Sequence, residues 1–273
     1  MNLTSPSQVK AWCIENGFHP NRTMGQNFLI DRNAMVAIVD AGLEAVRGMD
    51  APPRVLEIGP GLGVLTEELL NRGCRVTAVE KDPVLAGRLA EALGRPAGLE
   101  VVAADALDFI AAGSADDMFD CMVSNLPYQA GTRILLELVQ RRAVAAATAL
   151  VQTEVAMRIA ATEGSRTRSL AGVRVQLDYD VEIVRKVAPS CFWPRPEVAS
   201  SVIRLVRHDR NVGLSEKERA VFRSLTKAAF GQRRKQLGSI FKDLVKSTAR
   251  AEELANDEWI NLAKGLAEQN EDT

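Results

Sequence analysis

The sequence predicts a doubly wound α/β domain followed by a small all-helical domain. The main observation is an alternation, from Arg54 to about residue 152, of short apolar runs with helical segments. Strands and helices that alternate at this spacing form a parallel sheet with helices on both faces, as in Rossmann-like folds. A glycine turn over 59–63 joins the first of these strands to its helix, and after Arg207 the chain becomes polar, basic and helical.

Each element rests on a local signal. Ser5 and Pro6 suit an N-cap and a first-turn proline, and Gly17 ends that helix. A loop over 18–30 precedes a helix over 31–46, and the later strands are short apolar runs. The predicted strands are 55–58, 75–80, 101–104, 120–124 and 149–152, the helices between them are 64–71, 83–93 and 132–140, and two β-rich runs, 180–187 and 200–206, are expected as antiparallel edge strands.

The last part of the chain is predicted to be a separate domain. Helices are expected over 215–230, 232–245 and 257–266, and the boundary falls near 206–212, which gives domains 1–208 and 209–273. From Arg204 to Arg250 there are 13 Lys and Arg against 4 Asp and Glu, whereas 251–273 has 7 acids and one Lys. This asymmetry predicts a basic face for a polyanion beside an acidic tail, although solvated helix faces would produce it too.

The composition argues against a disulfide-rich, metal-binding, secreted or membrane-spanning protein. Hydrophobic residues make up 47% of the 273 residues, as in an ordinary globular protein. The cysteines are far apart and the histidines isolated, which favours buried thiols in a reducing compartment over disulfides or a metal site. The first residues resemble no signal peptide, and no apolar run is long enough to span a bilayer. We therefore expect a cytoplasmic protein without a metal or a membrane partner.

The glycine turn and two strand-end acids predict a nucleoside site. Glycines let the backbone approach a ligand and present amides at a helix N-terminus, although plain tight turns use them too. Glu80 ends the next predicted strand, 21 residues after Gly59, where a carboxylate can accept from both ribose hydroxyls. Asp105 ends the third strand, where it can accept from an adenine amine. Each acid alone could equally cap the following helix, but the pair at successive strand ends favours a ligand.

The spacing within the turn separates the possible cofactors. A dinucleotide fingerprint needs glycine at position 64 or 66, where Val64 and Thr66 stand. No Lys-Ser or Lys-Thr pair of the P-loop type follows the turn, which argues against a nucleoside triphosphate. A single adenosine-containing cofactor without a pyrophosphate fits better, and S-adenosylmethionine is the leading candidate.

The tetrapeptide Asn125-Leu126-Pro127-Tyr128 at the end of the fourth strand predicts chemistry on an exocyclic amine. The adenine N6 amine is a poor nucleophile because its lone pair is delocalised into the ring. The Asn125 side-chain oxygen and the Leu126 carbonyl could accept its hydrogens and favour a tetrahedral nitrogen, with Pro127 stiffening the backbone. Tyr128 offers a ring on which a flipped base can stack. In isolation, a strand that ends in a proline turn with a core tyrosine is an equal alternative.

Together, these motifs resemble those of the ribosomal RNA adenine dimethylases over about 25–241. The matching runs are Gly25-Gln26-Asn27-Phe28-Leu29, Glu57 to Thr66, Val79-Glu80-Lys81-Asp82, Asp105-Ala106-Leu107, Asn125 to Tyr128, Val151 to Ala156 and Phe192 to Val198. The resemblance implies a methyltransferase sheet with an N-terminal helical lid, and a helical domain that binds RNA or the ribosome.

The resemblance also implies roles for individual residues. The catalytic residues would be Asn125, Leu126, Pro127 and Tyr128, with Phe192 beside Tyr128 around the target base. The cofactor would contact Gln26, Asn27, Leu29, Gly59, Gly61, Gly63, Glu80, Lys81, Asp105, Ala106 and Asn125. RNA would contact Arg223, Arg233, Arg234 and Lys235 in the basic segment.

Within the family, Pro60, Leu62 and Leu126 resemble the branch that dimethylates two adjacent adenosines near the 3′ end of small-subunit (16S) rRNA. We therefore expect N6,N6-dimethyladenosine as product, in ribosome biogenesis, with small-subunit rRNA in a pre-30S particle as partner and a monomeric enzyme. The alternatives are a large-subunit rRNA adenine methyltransferase of the antibiotic-resistance type and a non-catalytic RNA-binding assembly or transcription factor on the same fold.

The chain departs from the family pattern at four places. They are Asn21-Arg22 before the first motif, Gln129-Ala130-Gly131-Thr132 after the tyrosine, Arg168-Ser169-Leu170-Ala171 and Ala199. If these residues line the target pocket, they change the target or the number of methyl groups added.

Overall fold

The computed structural model describes residues 1–21, 24–115, 118–242, 245 and 247–269. The helices of this part of the chain are α1 (Pro6–Glu15), α2 (Arg32–Glu44), α3 (Val64–Asn71), α4 (Pro83–Ala92), α5 (Ala106–Ala111), α6 (Gly131–Gln140), α7 (Thr153–Ala160), α8 (Leu170–Val175), α9 (Glu216–Gly231), α10 (Leu237–Phe241) and α11 (Asn256–Gln269). The strands are β1 (Phe28–Leu29), β2 (Arg54–Ile58), β3 (Arg75–Glu80), β4 (Leu99–Ala103), β5 (Cys121–Asn125), β6 (Ala146–Gln152), β7 (Tyr179–Val187), β8 (Phe192–Trp193) and β9 (Ser200–Arg207).

The main sheet has the strand order β4-β3-β2-β5-β6-β9-β7. The pairs β3–β4, β2–β3, β2–β5 and β5–β6 are parallel, and β6–β9 is antiparallel. The chain winds outward from β2 to β4 and then crosses back to β5, so the winding reverses between β2 and β5. The predicted doubly wound α/β fold is confirmed. β9 is antiparallel as predicted, but β7 lies outside it, so β9 is an interior strand.

The strands β2 and β5 separate toward their carboxyl ends. They pair at Val55 with Cys121 and at Leu56 with Met122. Beyond these pairs, the Ile58 N–H donates to the Ser124 hydroxyl at 2.9 Å instead of to a carbonyl. A sheet that opens where its winding reverses forms a crevice at the carboxyl ends of its strands, the usual ligand position in such folds.

Side-chain caps fix where the helices next to this crevice begin. Asp82 accepts from the Val84 and Leu85 N–H groups, and Pro83 occupies the first turn of α4. Asp31 accepts from the Ala34 N–H at the start of α2. Each cap lies two residues after the end of a strand, Asp31 after β1 and Asp82 after β3, so each connecting loop is short.

The chain forms two compact units. The first comprises Met1–Ala156 and Glu182–Arg207, and the second comprises Met157–Val181 and the chain from His208 onward. The predicted domains, 1–208 and 209–273, differ from these units in the segment 157–181, and their separate functions remain a prediction. The segment 157–181 belongs to the second unit because its Asp178 forms a buried ion pair with Arg219 at 2.7 and 3.0 Å.

The second unit has its own apolar core, and one helix predicted in it has other bounds in the structure. Phe222, Leu225 and Trp259 are buried in this core. The helix predicted over 232–245 is wrong in its bounds, because α9 ends at Gly231, a turn follows and α10 covers Leu237–Phe241 alone. Residues 243 and 244 of that prediction lie outside the described residues. No helix in the described part of the chain is long and apolar enough to cross a membrane.

Candidate active site

A cavity of about 400 Å³ occupies the crevice between β2 and β5 in the first unit. Its walls are the segment before β1, the glycine turn, the carboxyl ends of β3, β4 and β5, and the start of α6. The predicted site residues that line it are Gln26, Asn27, Leu29, Gly59, Gly61, Glu80, Lys81, Asp105, Ala106, Asn125 and Pro127. Among the described residues predicted for the site, Gly63, Leu126, Tyr128 and Phe192 lie outside this lining.

The glycine turn needs glycine for conformation and for space. Gly61 has φ +59°, and a Cβ there would lie 3.1 Å from the Phe28 ring. Gly63 has φ +92° at the N-cap of α3, and a Cβ there would lie 2.6 Å from a Leu89 methyl. Gly61 therefore lets the turn approach β1 across the cavity, whereas Gly63 lets α3 pack against α4.

Glu80 supports the turn from the end of β3. One carboxylate oxygen accepts from the Gly61 N–H at 3.0 Å, and the other accepts from the Asp82 N–H at 2.9 Å. The side chain is buried, and this burial raises the pKa of the carboxyl group, opposed by the backbone hydrogen bonds. Glu80 thus holds the glycine turn to the neighbouring strand and presents its carboxylate to the cavity.

Asp105 has two protein partners at the end of β4. It accepts from the Leu107 N–H at 2.8 Å, which caps α5, and pairs with the Lys81 ammonium at 2.7 Å. The Lys81 hydrogen bond is the main reason that the pKa of Asp105 is lowered. The helix-capping role that the sequence left open is therefore present, and a ligand amine would share an oxygen with these donors.

The segment before β1 closes over the end of β5. Gln26 donates to the Asp82 carboxylate at 2.8 Å, and the Asn27 carbonyl accepts from the Asn125 side-chain amide at 3.1 Å. Gly25 has φ +70°, and a Cβ there would lie 3.2 Å from the Tyr128 nitrogen. The predicted N-terminal motif and the predicted catalytic tetrapeptide are therefore in direct contact.

Two hydrogen-bond acceptors at the end of β5 have no protein donor among the described residues. The Asn125 Nδ2 donates to Asn27, and within the described residues neither Asn125 Oδ1 nor the Leu126 carbonyl accepts a hydrogen bond. The next carbonyl, that of Pro127, accepts from the Ala130 and Gly131 N–H groups at 3.1 and 2.7 Å, which fixes the turn. A rigid backbone with two open acceptors can bind an amine that carries two hydrogens.

Tyr128 and Phe192 are more enclosed than their predicted stacking role requires. The Tyr128 hydroxyl is hydrogen-bonded to the Ser200 hydroxyl, and burial raises the pKa of the tyrosine. Phe192 pairs with Leu29 in the antiparallel β1–β8 ladder, and its side chain is 2% exposed. The Phe192 ring is therefore packed in the core beside the cavity, and its contact with a base remains a prediction.

Comparisons with known proteins agree with these motifs. A family model described as ribosomal RNA adenine dimethylase matches residues 17–270. The chain belongs to the ribosomal RNA adenine dimethylase family. A relative from Deinococcus radiodurans, named ribosomal RNA small subunit methyltransferase A, is 43% identical over 209 residues, covering 74% of this chain and 67% of the relative. The protein of the same name from Chlamydia abortus is 38% identical over 252 residues, covering 89% and 86% of the two chains.

Solved structures related to this family member share its fold. A dimethyladenosine transferase from Plasmodium falciparum has a TM-score of 0.75 at 21% identity, covering 89% of this chain and 98% of that one. The 23S rRNA methyltransferase ErmE has a TM-score of 0.67 at 27% identity, covering 87% and 98%. The first likeness is of fold alone.

Sequence reasoning assigned no role to Glu57 or Arg133, which also line the dimethylase cavity. Glu57 is buried and accepts from the Thr66 hydroxyl at 2.6 Å, and its burial raises the pKa to about 8. Arg133 projects from the first turn of α6 and is exposed. The signal for Glu57 was a charged residue inside an apolar strand, Val55-Leu56-Glu57-Ile58.

The segments that depart from the family pattern lie in different places. Gln129 and Ala130 line the cavity. Arg168, by contrast, is buried in the second unit, where it donates to the Asn256 side chain at 2.7 Å, and Ser169 caps α8 by accepting from the Gly172 N–H at 3.1 Å. The departure at 168–171 is therefore structural within that unit.

The residues predicted to contact RNA differ in how available they are. Arg233 is half-buried, contacts Glu252 at 3.3 Å and donates to the Arg166 carbonyl at 2.6 Å. Arg223 is half-buried, whereas Arg234 and Lys235 are exposed. Arg233 thus has a structural role in this family member. The charged groups of Arg234 and Lys235 are exposed to solvent. Over the described residues, no cluster of three or more His, Cys, Asp and Glu could hold a metal ion.

Proposed function

We propose that this chain transfers methyl groups from S-adenosylmethionine to N6 of two adjacent adenosines near the 3′ end of small-subunit (16S) rRNA, forming N6,N6-dimethyladenosine in ribosome biogenesis. The family and the names of the relatives support the reaction and the small-subunit target. The observation that carries the proposal is the pair of open acceptors at the end of β5, Asn125 Oδ1 and the Leu126 carbonyl, of which Asn125 lines a nucleoside-sized cavity.

The cavity suits an adenosine-containing methyl donor. Glu80 would accept from the ribose hydroxyls, Asp105 from the adenine amine, and the backbone at Gly59 and Gly61 would allow close approach. When bound, S-adenosylmethionine would supply an electrophilic methyl group on a sulfonium, whose sulfur would leave as a neutral thioether.

The residues of the chain would supply alignment and fixed dipoles. Asn125 Oδ1 and the Leu126 carbonyl would each accept one hydrogen of the target amine, which favours a tetrahedral nitrogen with its lone pair directed at the methyl group. Both acceptors are held by their own backbone contacts, so they need little reorganisation. The nitrogen becomes acidic as its new bond forms, and its proton can leave to solvent, so no general base is needed.

The partner in this proposal is small-subunit rRNA within a pre-30S particle, bound by a monomer in the cytoplasm where that RNA is assembled. The exposed Arg234 and Lys235 would contact its phosphates. The resemblance to ErmE keeps large-subunit rRNA as the second candidate substrate.

Labelled methyl transfer tests the proposal directly. Under-methylated small subunits, large-subunit RNA and buffer are incubated with the enzyme and labelled S-adenosylmethionine, and the RNA is digested and analysed by mass spectrometry. We expect dimethyladenosine in the small subunit alone, and no transfer by Asn125→Ala, whose melting temperature stays near that of the native protein. Label in large-subunit RNA, or native turnover by Asn125→Ala, would overturn the corresponding part of the proposal.

A further inference from the structure

Ser200 occupies a position at the active edge that its place in the sequence does not reveal. It is the first residue of β9, and because β9 is antiparallel to β6, its amino end lies beside the carboxyl ends of the parallel strands. In the register of this pair, Ser200 lies opposite Gln152, the last residue of β6. Its side chain is fully buried.

The hydroxyl of Ser200 meets the hydroxyl of Tyr128. The two oxygens are 2.5 Å apart and partly buried, although the residues are 72 positions apart in the chain. At its other end the backbone of Tyr128 lies close to Gly25, where an added Cβ would come to 3.2 Å from the tyrosine nitrogen. A tyrosine ring turns about two side-chain bonds, and its hydroxyl oxygen lies on the axis of the second. A hydrogen bond to that oxygen therefore fixes where the ring lies. It also favours one ring plane, because the phenolic O–H and the lone pairs of the oxygen lie in the plane of the ring.

We propose that Ser200 is a positioning residue that holds the Tyr128 ring at the angle at which the target adenine stacks. This inference rests on the proposed function, in which Tyr128 contacts the base. Neither Ser200 nor Tyr128 lines the cofactor cavity among the described residues, so the effect concerns the substrate and not the cofactor.

The second methyl transfer depends on this ring more than the first. Before the first transfer, the amine can give one hydrogen to Asn125 Oδ1 and one to the Leu126 carbonyl. After it, one hydrogen remains, so one acceptor is idle and stacking must hold the base. A ring that is free to turn therefore impairs the second transfer more than the first.

Four variants separate positioning from general structure. Ser200→Ala and Tyr128→Phe each remove the same hydrogen bond from opposite sides, and Tyr128→Phe leaves β9 untouched. We expect each to slow the second transfer about five- to tenfold relative to the first, as the loss of one such bond predicts, so that monomethyladenosine accumulates. The double variant should be no worse than either single variant. Ser200→Thr keeps the hydroxyl on a strand that accepts β-branched residues and should restore dimethylation.

Calorimetry and a fluorine signal complete the test. The dissociation constant for S-adenosylmethionine should be unchanged in all four variants. The chain has two tyrosines, so in a Tyr179→Phe background 3-fluorotyrosine labelling leaves one ¹⁹F resonance, from Tyr128. Ser200→Ala should shift and narrow this resonance in the free protein, because the ring becomes mobile.

The outcomes distinguish the two proposals. A native enzyme that makes no dimethyladenosine refutes the proposed function, while the ¹⁹F signal still reports whether Ser200 holds the ring. If the native enzyme does dimethylate, an unchanged ¹⁹F resonance in Ser200→Ala overturns the inference. So does an equal slowing of both transfers, or additivity of Ser200→Ala with Tyr128→Phe.

Discussion

The Glu80 carboxylate is expected to accept hydrogen bonds both from the protein backbone and from the cofactor. It holds the Gly61 and Asp82 N–H groups and is proposed to hold the ribose of the cofactor as well. We expect Glu80→Ala to weaken S-adenosylmethionine binding at least about tenfold, because each hydrogen bond to a charged group contributes about 1.5–3 kcal/mol. Isothermal titration calorimetry measures the dissociation constant, with Glu67→Ala, an exposed acid on α3, as the matched control. An unchanged constant in Glu80→Ala would limit Glu80 to support of the turn.

Glu57 predicts a pH dependence of stability. Its pKa is raised from 4.5 to about 8 by burial, so between these values the folded protein holds a proton that the unfolded chain has lost. The contribution of the protonated Glu57 side chain to the free energy of unfolding is complete below about pH 4.5 and is lost as the pH rises through about 8. The free energy of unfolding changes by at most about 1.4 kcal/mol per pH unit in this range.

Glu57→Gln removes this titration and keeps an acceptor for the Thr66 hydroxyl. Its melting temperature relative to the native protein should therefore rise steadily from pH 5 to pH 8, measured by calorimetry without cofactor. Glu67→Gln, at an exposed position of α3, is the control and should show no such trend. A constant difference between Glu57→Gln and the native protein would mean that Glu57 is ionised in the fold.

At the residue scale, the sequence predicts the site residues that stand at the end of a strand and belong to a single short motif. Glu80, Asp105 and Asn125 belong to this class, since the ends of parallel strands meet at one edge whatever the rest of the fold. The Ser200–Tyr128 contact could not be predicted in this way, because it joins residues 72 positions apart and depends on the register of β9. The burial of Arg168 likewise depends on Asn256, far along the chain.

At the element scale, long periodic segments were predictable and very short ones were not. The five parallel strands appear within a few residues of their predicted bounds. The β1–β8 ladder was missed, since strands of two residues have no periodicity to detect. The helix predicted over 232–245 is wrong in its bounds, since α9 ends at Gly231 and α10 covers Leu237–Phe241 alone. A polar and basic composition carries no information about where the backbone turns.

The β1–β8 ladder connects two predicted roles, since Phe192 pairs with the cavity-lining Leu29. We expect Phe192→Leu, which keeps an apolar side chain but removes the aromatic face, to make monomethyladenosine accumulate, because stacking contributes about 1–3 kcal/mol per base. Phe222→Leu, at an equally buried position in the second unit, controls for the loss of core packing. If the cofactor dissociation constant rises instead and the product ratio is native, Phe192 acts by supporting β1.

At the scale of the whole molecule, the change in charge along the chain located one boundary but not the composition of the second unit. The change near Arg207 coincides with the end of the first unit. The segment 157–181 belongs to the second unit because Arg219 pairs with Asp178 and Arg168 with Asn256. Pairings of this kind are set by the folded arrangement of distant residues, and charge counts over windows of sequence cannot detect them.

The basic segment of the second unit yields the last prediction, and the structure sharpens it. Arg233 already contacts Glu252 and the Arg166 carbonyl, so its replacement would confuse stability with RNA binding. Arg234 and Lys235 are exposed, and Arg234→Ala/Lys235→Ala should weaken binding to small subunits while cofactor affinity stays native. Each lost phosphate contact reduces the slope of log K against log salt by about 1. Filter binding at several salt concentrations measures this slope, with Lys10→Ala/Arg47→Ala, two exposed cations of the first unit, as the charge-matched control. Equal slopes for the native protein and Arg234→Ala/Lys235→Ala would mean that these cations are solvated and contact no phosphate.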